Sequence, residues 1–343
     1  MGIYKSVLRP LLFQIDAEKA HHFSLKSASL LLKTPGLMSL AKRYFSVNHP
    51  RLEREVFGLK FRNPVGLAAG FDKNAEYIDE MEAFGFGFVE IGTLTPKAQP
   101  GNPKKRVFRL QEDEALINRF GFNNRGVDEA LERLAKNRNI IVGGNIGKNK
   151  STDNKDAKAD YKYTFERLYP YVDYFAINVS SPNTENLRDL QEAEPLKELL
   201  ESLISLRDQQ STRKSILLKI APDLSQNQLD QVIEIAQEVN LDGLITTNTS
   251  LSRAHLISKN QNEKGGVSGK PLSHRSTEMI KYIYEKTNGK LPIIGVGGIF
   301  TAKDAQEKLD AGASLVQIYT GFAYEGPAMV KQINQGLVQD IPE

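Results

Sequence analysis

Apolar residues fall in short consecutive runs from Asn63 onward, each followed by an amphipathic stretch, and the alternation repeats eight times. The runs are Val65–Ala69, Phe88–Thr93, Ile140–Ile146, Tyr174–Asn178, Ile216–Ile220, Gly243–Thr247, Ile293–Val296 and Leu315–Tyr319. Consecutive apolar positions rich in β-branched or aromatic residues predict strands buried on both faces of a parallel sheet. Between them, helical spacing predicts helices over Tyr77–Phe84, Val127–Asn137, Leu196–Arg207, Gln226–Val239, Arg275–Lys286 and Ala302–Asp310. Asp304 and Ala311-Gly312 punctuate the last of these. Eight β-then-α units with right-handed crossovers predict an α/β fold closed into a (β/α)8 TIM barrel, not an open sheet. No Gly-, Ser- or Pro-rich linker divides the region, so residues 49–343 read as one barrel domain. The longest irregular insert follows strand 6, about 251–272, and contains Lys264-Gly-Gly-Val-Ser-Gly269. A loop of that length inside a compact domain predicts a lid or binding loop.

Residues 1–48 have a different pattern. Ile3, Val7, Leu8, Leu11, Leu12 and Ile15 recur at helical spacing, and Phe23, Ala28 and Leu30-Leu31-Leu32 mark a second helix ended near Thr34-Pro35-Gly36. Seven Lys or Arg against Asp16 and Glu18 give this segment a net +5, so the rest of a chain of net +3 carries about −2. Two short, basic, apolar-striped helices fit an interfacial membrane anchor, and they equally fit a helical cap packed on the barrel. Asp16 and Glu18 interrupt the segment, and no small-residue cleavage site follows a long apolar region, which argues against a secretory signal. Met1 to Ser6 also matches the loose N-myristoylation pattern.

Composition narrows the chemistry. With 40% hydrophobic residues the chain can fill a core, and no run approaches the ~18 apolar residues of a membrane span. The small net charge makes no case for nucleic acid. There is no cysteine, which excludes disulfides, thiolate nucleophiles, zinc–thiolate sites and cysteine-ligated iron–sulfur clusters.

In a barrel, function gathers at the C-terminal ends of the strands. Those ends read Ala68-Ala-Gly-Phe-Asp-Lys73, Gly92-Thr93, Asn145, Asn178-Val-Ser-Ser-Pro-Asn183, Lys219, Thr247-Asn-Thr249, Gly297-Gly298 and Tyr319-Thr-Gly321. Asp72 and Asp223 are the exceptions to an acid-free set, which disfavours paired-carboxylate hydrolysis and carboxylate-held metals. All five histidines lie elsewhere, which counts against a Ser–His triad. Gly297-Gly298 occupies the usual phosphate position of a barrel, although a tight turn explains the pair by itself. Lys219 ends a buried strand, where an ammonium needs a carboxylate or a bound anion. With so few acids, a bound anion such as a reduced flavin is the favoured partner. Asn118, Asn178, Asn183 and Asn248 each offer donors and an acceptor, a set suited to an imide or pyrimidine edge. Any one of them alone reads as a turn or cap residue. Ser181 is either a loop hydroxyl bonded to backbone or a proton acceptor in a closed, dry site, working through a water or threonine relay.

Taken together, these motifs resemble the dihydroorotate dehydrogenases, in particular the class 2, quinone-reducing, membrane-associated family. The resemblance runs from Phe13 to Phe322 and includes Gly66-Leu-Ala-Ala-Gly-Phe-Asp-Lys73, Gly92-Thr-Leu-Thr-Pro-Lys-Ala-Gln-Pro-Gly-Asn102 and Ile117-Asn-Arg-Phe-Gly-Phe-Asn123. It continues in Asn145-Ile-Gly-Lys-Asn149, Asn178-Val-Ser-Ser-Pro-Asn-Thr184, Lys219-Ile-Ala-Pro-Asp223 and Gly295-Val-Gly-Gly298. It implies oxidation of (S)-dihydroorotate to orotate in de novo pyrimidine synthesis, with one FMN per chain as hydride acceptor and a membrane quinone as final acceptor. Ser181 would be the catalytic base for the C5 proton. Lys73, Asn118, Arg119, Phe120, Gly121, Phe122, Asn178, Asn183, Asn248 and Thr249 would hold substrate. Ala69, Gly70, Phe71, Asp72, Lys73, Thr93, Asn145, Asn178, Lys219, Thr247, Gly269, Gly298, Tyr319 and Thr320 would hold FMN. His21 and Arg109 would face quinone entering between the N-terminal helices; by sequence alone His21 reads as a surface residue. The implied location is peripheral, on the cytoplasmic face of the cell membrane, as a monomer without an iron–sulfur partner subunit, a nucleic-acid partner or a metal.

Two features fit class 2 in their own right. Class 1 relatives use a cysteine base, which this chain lacks, and the NAD-linked relatives lack a basic, apolar N-terminal extension, which this chain has. The rival readings are a tRNA dihydrouridine synthase, a soluble FMN barrel using fumarate or NAD, and a non-enzymatic flavin-binding protein. The first calls for a basic RNA-binding face, and the barrel is slightly acidic. The second is disfavoured by the N-terminal helices and the serine, and the third has no need of four amides and a positioned serine.

Overall fold

A computed structural model of the protein describes residues 4–136 and 138–339. Met1 to Ile3, which open the myristoylation pattern and the apolar stripe, lie outside the described residues. So do Asn137, at the predicted end of one helix, and residues 340–343.

Thirteen strands are described. β1 (Arg54–Val56) and β2 (Leu59–Phe61) form a short hairpin. β3 (Val65–Leu67) and β4 (Phe88–Leu94) begin the barrel, and β5 (Val107–Leu110) and β6 (Ala115–Asn118) form a second hairpin. Then follow β7 (Ile141–Ile146), β8 (Tyr174–Asn178), β9 (Ser215–Ile220), β10 (Gly243–Thr246), β11 (Gly266–Gly269), β12 (Ile293–Val296) and β13 (Leu315–Ile318). The closed barrel runs β3-β4-β7-β8-β9-β10-β12-β13 and returns to β3, all neighbours parallel. This is the eightfold barrel expected from the sequence, and its strands coincide with the eight apolar runs to within a residue or two.

Helices α1 (Arg9–Gln14), α2 (Ala17–Leu32) and α3 (Leu37–Phe45) precede the barrel. Around it lie α4 (Ile78–Ala83), α5 (Val127–Leu134), α6 (Ala157–Leu168), α7 (Ala193–Asp208), α8 (Gln226–Glu238), α9 (Ser273–Lys286) and α10 (Ala302–Asp310). α11 (Thr320–Glu325) and α12 (Met329–Gln339) close the chain. α8 and α10 start at capping boxes built on Ser225 and Thr301, where a side chain and a backbone amide satisfy each other across the first turn. The structure adds α3, α6, α11 and α12 to the predicted helices. The insert after strand 6 is also not wholly irregular. Its end is β11, which pairs with β6 to make a three-stranded antiparallel sheet over the barrel mouth.

The barrel interior is graded along the strands. At the bottom Phe61 of the first hairpin plugs the opening, its ring 5.1 Å from Phe88. Phe88, Tyr174, Leu217, Ile245, Ile294 and Leu315 fill the layer above it. Two of these rings need a neighbour without a side chain. A Cβ on Gly66 would lie 2.3 Å from the Phe88 ring, and one on Gly143 2.1 Å from that of Tyr174. Two residues further along, on the same face of each strand, Phe88 gives way to Glu90, Leu217 to Lys219 and Leu315 to Gln317. The interior therefore turns polar just before the mouth.

The N-terminal helices dock on the barrel through charge. Glu18 at the start of α2 receives Arg106 at 2.7 and 3.0 Å, both side chains almost fully buried. Burial alone would raise the Glu18 carboxyl, but Arg106, with Lys104 and His22 nearby, outweighs it and holds it below its ordinary range. Lys42 of α3 pairs with Glu82 at 2.8 Å, and Lys5 with Glu325 at 2.7 Å. Arg106→Met leaves Glu18 buried without its guanidinium. Because Lys104 and His22 remain close, the expected cost is ~3 kcal/mol, the low end for a broken buried pair. Hydrogen exchange should quicken in α2 while the barrel strands keep their protection; unchanged protection of α2 would show that the pair does not hold it.

Candidate active site

The mouth of the barrel opens into a cleft enclosing about 990 Å³ of space, including its solvent-facing entrance. Its walls bring together residues from seven of the eight strand ends, all but that of β7, with the second hairpin and the end of the lid.

The floor is a hydrogen-bonded set of buried polar groups. Thr93 at the end of β4 donates through Oγ1 to Asn145 Oδ1 at 2.5 Å, and Asn178 Nδ2 donates to Thr93 Oγ1 at 3.0 Å and to Asn145 Oδ1 at 3.2 Å. Asn248 Nδ2 donates to Asn178 Oδ1 at 3.3 Å and to Ser180 Oγ at 3.0 Å. Across the cleft Asn183 Nδ2 donates to Asn118 Oδ1 at 3.2 Å. The four amides expected to converge thus lie in two bonded pairs on one cavity.

Ser181 follows β8 and lines the cleft with only 6% of its surface exposed. Its Oγ accepts the Asn183 backbone N–H at 3.3 Å, and neither imidazole nor carboxylate bonds to it among the described residues. The loop is held from behind by Arg188, which donates to the Ser180 carbonyl at 3.1 Å, the Thr249 carbonyl at 3.1 Å and Asp223 at 2.9 Å. Above it runs the start of β11: a Cβ on Gly266 would lie 2.0 Å from Thr249 Oγ1 and 3.0 Å from Pro182. Backbone with no side chain can therefore press onto the serine loop and leave little room for water. The lid leading to β11 is pinned at Asp113, whose carboxylate accepts the N–H groups of Ile257 and Ser258 at 3.0 Å each.

At one end of the cleft Gly297, Gly298, Thr320 and Gly321 come together. Gly298 has φ +74°, and a Cβ there would lie 2.3 Å from that of Ser273, the first residue of α9. A glycine turn against a helix N-terminus is the arrangement that receives a phosphate through backbone N–H groups. Lys219 lines the middle of the cleft, and Gln317 beside it keeps a buried carbonyl oxygen, Oε1, with no partner. An anion cradle, an ammonium and an orphan acceptor in line fit a flavin mononucleotide: its phosphate, its charged pyrimidine edge and a ring N–H.

Of the residues expected to hold substrate, Lys73, Asn118, Phe120, Gly121, Phe122, Asn178, Asn183, Asn248 and Thr249 line the cleft. Arg119 does not: its guanidinium pairs with Glu263 of the lid at 2.8 Å, so it staples lid to hairpin. Of the cofactor set, Ala69, Gly70, Lys73, Thr93, Asn178, Lys219, Thr247, Gly269, Gly298, Tyr319 and Thr320 line it. Phe71, Asp72 and Asn145 sit one layer behind. Asp72 caps a turn by accepting the N–H groups of Glu76 and Tyr77 at 2.8 Å, and burial lifts its carboxyl to about 6. Asn145 orients Thr93 and Asn178. Arg109 donates to the carbonyls of Leu12, Phe13 and Ile15 at 3.1, 3.3 and 2.6 Å, closing the C-terminal end of α1. His21 Nε2 donates to the Phe71 carbonyl at 3.0 Å, with its ring edge-on to Phe71, which in turn packs on Tyr319. Burial, with the Lys73 charge beside it, pushes this imidazole down to about 3, so it is neutral at physiological pH.

One inference from sequence is corrected. Lys219 does have a carboxylate neighbour, Glu90, with Nζ 3.4 Å from Oε1. The acid lies inside β4, below the strand ends, where it stands as a single polar position in an apolar run. Gln317 and Ser268, which accepts Thr320 Oγ1 at 2.8 Å, are further cleft residues that the sequence reading did not include.

The family model described as dihydroorotate dehydrogenase matches residues 51–341. A dihydroorotate dehydrogenase (quinone) of Christiangramia forsetii is 59% identical over 337 residues, covering 98% of this chain and 99% of that protein. One from Gloeobacter violaceus is 51% identical, covering 97% of this chain and 93% of the other. Among solved structures, dihydroorotate dehydrogenase of Eimeria tenella in complex with ferulenol aligns with a TM-score of 0.81 at 38% identity, covering 91% of this chain and 94% of that one.

Lys73 places an ammonium over the Phe120 ring, 4.0 Å from its centre, while bonded to the Gly70 carbonyl. Burial is the main force lowering it to about 8; Arg106 adds to the effect, and Glu18 and Asp72 oppose it. Its charge is present below that pH and lost above it. A planar pyrimidine carboxylate titrated into the cleft should therefore bind with constant affinity up to about pH 8 and progressively more weakly beyond. Lys73→Met should bind it more weakly throughout and without that inflection; an inflection retained in the variant would assign it to another group.

Proposed function

The chain belongs to the dihydroorotate dehydrogenase family, and we propose that it oxidises (S)-dihydroorotate to orotate and passes the electrons to a membrane quinone, a step of de novo pyrimidine synthesis. The observation that carries this reading is the convergence of two amide pairs and a buried serine on a cleft that also holds the phosphate cradle and Lys219. A bound flavin mononucleotide, one per chain, would supply the two-electron acceptor. Gly298, Gly269 and Thr320 would hold its phosphate end, with Lys219, Gln317, Thr93 and Thr247 along its ring. Asn118, Asn178, Asn183 and Asn248 would read the alternating carbonyl and N–H edge of the substrate, and Lys73 its carboxylate.

Ser181 Oγ would take the proton from C5 as its own hydroxyl proton passes to a water or threonine relay. Serine is a weak base in water, and what favours the role is the environment: a nearly closed loop, a lid backbone pressed upon it and, among the described residues, no carboxylate bonded to the hydroxyl. Arg188 and Asn183 keep the hydroxyl aimed while the proton leaves.

The N-terminal segment, residues 1–48, is proposed as the membrane-facing unit. Val7, Leu11, Phe23, Leu30, Leu31, Leu40 and Tyr44 are more than half exposed, an apolar face that water leaves uncovered. Among the described residues no helix is long and apolar enough to cross a membrane. Helices that lie in the interface with basic residues at their edges fit both facts. The proposed location is peripheral, on the cytoplasmic face. Quinone would approach between α1 and α2, towards His21 and Phe71, with Arg109 fixing the end of α1.

Ser181→Ala tests the chemistry. The variant should retain its flavin absorbance, and dihydroorotate should reduce that flavin ~10²–10⁴-fold more slowly at neutral pH, the usual worth of a positioned base. Wild-type reduction kinetics in the variant would remove Ser181 from the base role.

A further inference from the structure

Glu90 lies where a carboxylate is costliest, on β4 at the centre of the barrel with no exposed surface. Its two oxygens take four donors. Oε1 accepts Asn145 Nδ2 at 2.8 Å and faces Lys219 Nζ at 3.4 Å; Oε2 accepts Gln317 Nε2 at 2.7 Å and the Tyr174 hydroxyl at 3.2 Å. Two of the four, Lys219 and Gln317, are also walls of the cleft. The carboxylate is thus one side chain beneath the floor on which a ligand rests.

The distances say how the pair is shared. A charge-assisted N–H···O bond closes to about 2.7–2.9 Å, so the Lys219 ammonium is not drawn fully onto Glu90 and keeps donor capacity for the cleft. Gln317 spends its amide on Glu90, which fixes the side chain's orientation and leaves Oε1 as the buried acceptor without a partner. Among the described residues Glu90 is the one carboxylate in ion-pair range of Lys219. In an interior of low dielectric its charge reaches whatever sits against that ammonium.

We propose that Glu90 is a positioning residue that sets the electron affinity of the bound flavin. It aims Lys219 and Gln317 at the ring and cancels part of the ammonium's field. This rests on the flavin reading given above. Two-electron reduction adds negative charge to the ring, so an uncompensated ammonium favours the reduced form and an uncompensated carboxylate opposes it. Glu90 therefore holds the flavin potential below the value Lys219 alone would impose, which keeps the reduced flavin a willing donor to quinone.

The test is the midpoint potential of the purified holoproteins, read anaerobically by equilibration with redox dyes. In Glu90→Gln the ratio of reduced to oxidised flavin at a fixed potential should rise at least tenfold, equivalent to about 30 mV positive for a two-electron couple. Glu90→Asp, which keeps the charge, should stay closer to wild type, and Glu90→Gln combined with Lys219→Met should fall below Glu90→Gln alone. A wild-type potential in flavin-loaded Glu90→Gln overturns the proposal. If that variant does not fold, Lys219→Met and its double with Glu90→Gln serve instead: the double should lie positive of the single, and equal potentials overturn the idea. The two readings fail separately. A wild-type protein that binds no flavin, or whose flavin dihydroorotate cannot bleach, brings down the proposed function and this inference with it. A flavin that bleaches normally and ignores Glu90 brings down this inference alone.

Discussion

A carboxylate sealed in the centre of a barrel has to be surrounded by donors, and at Glu90 that requirement ties five strands together. β4 supplies the acid, and β7, β8, β9 and β13 supply Asn145, Tyr174, Lys219 and Gln317. Below this layer the interior is apolar and plugged by Phe61; above it Asn145 passes the order on to Thr93 and Asn178, and Asn178 to Asn248. A hydrophobic replacement of such a cluster could match it in stability. It could not orient two cleft walls and two floor amides at once. The polar layer is therefore best understood as the template on which the mouth of the barrel is built.

Much of this was legible in the sequence because it depends on periodicity. Buried parallel strands have to be continuously apolar, so eight runs located eight strands, and the residues just past each run located the mouth. Asn178, Asn183, Asn248, Ser181 and Lys219 were found that way, and with Asn118, from the insert after the second barrel strand, all line one cleft. What escaped notice depends on contacts between distant segments. Glu90 sits among Phe88, Val89 and Ile91 and has the look of a single polar interruption. Its position two residues beyond Phe88, on the same face, was the available clue. Arg119 and Asp72 lie in or beside ligand motifs, yet their side chains hold a lid and a turn. α3 and α6 are short or weakly striped, and β11 is half glycine, so neither pattern announces them.

Two sets of elements surround the cleft and meet at the second hairpin. The lid and the second hairpin close over Ser181, where water would compete for the proton. The N-terminal helices are joined to the second hairpin and the residue before it through Arg109 and Glu18–Arg106, with His21 a single aromatic layer from Tyr319. The neutral state of His21 suits an apolar approach, since a charged imidazole there would have to be desolvated with each visitor.

The most direct test of the account follows one flavin band through both half-reactions. Purified protein, kept anaerobic, is given dihydroorotate and then, in separate samples, a ubiquinone analogue, fumarate or NAD. The account predicts bleaching by dihydroorotate and recovery with the quinone alone. Recovery with fumarate or NAD instead would contradict the assigned acceptor, and a band that dihydroorotate leaves untouched in folded, flavin-loaded protein would contradict the assigned substrate.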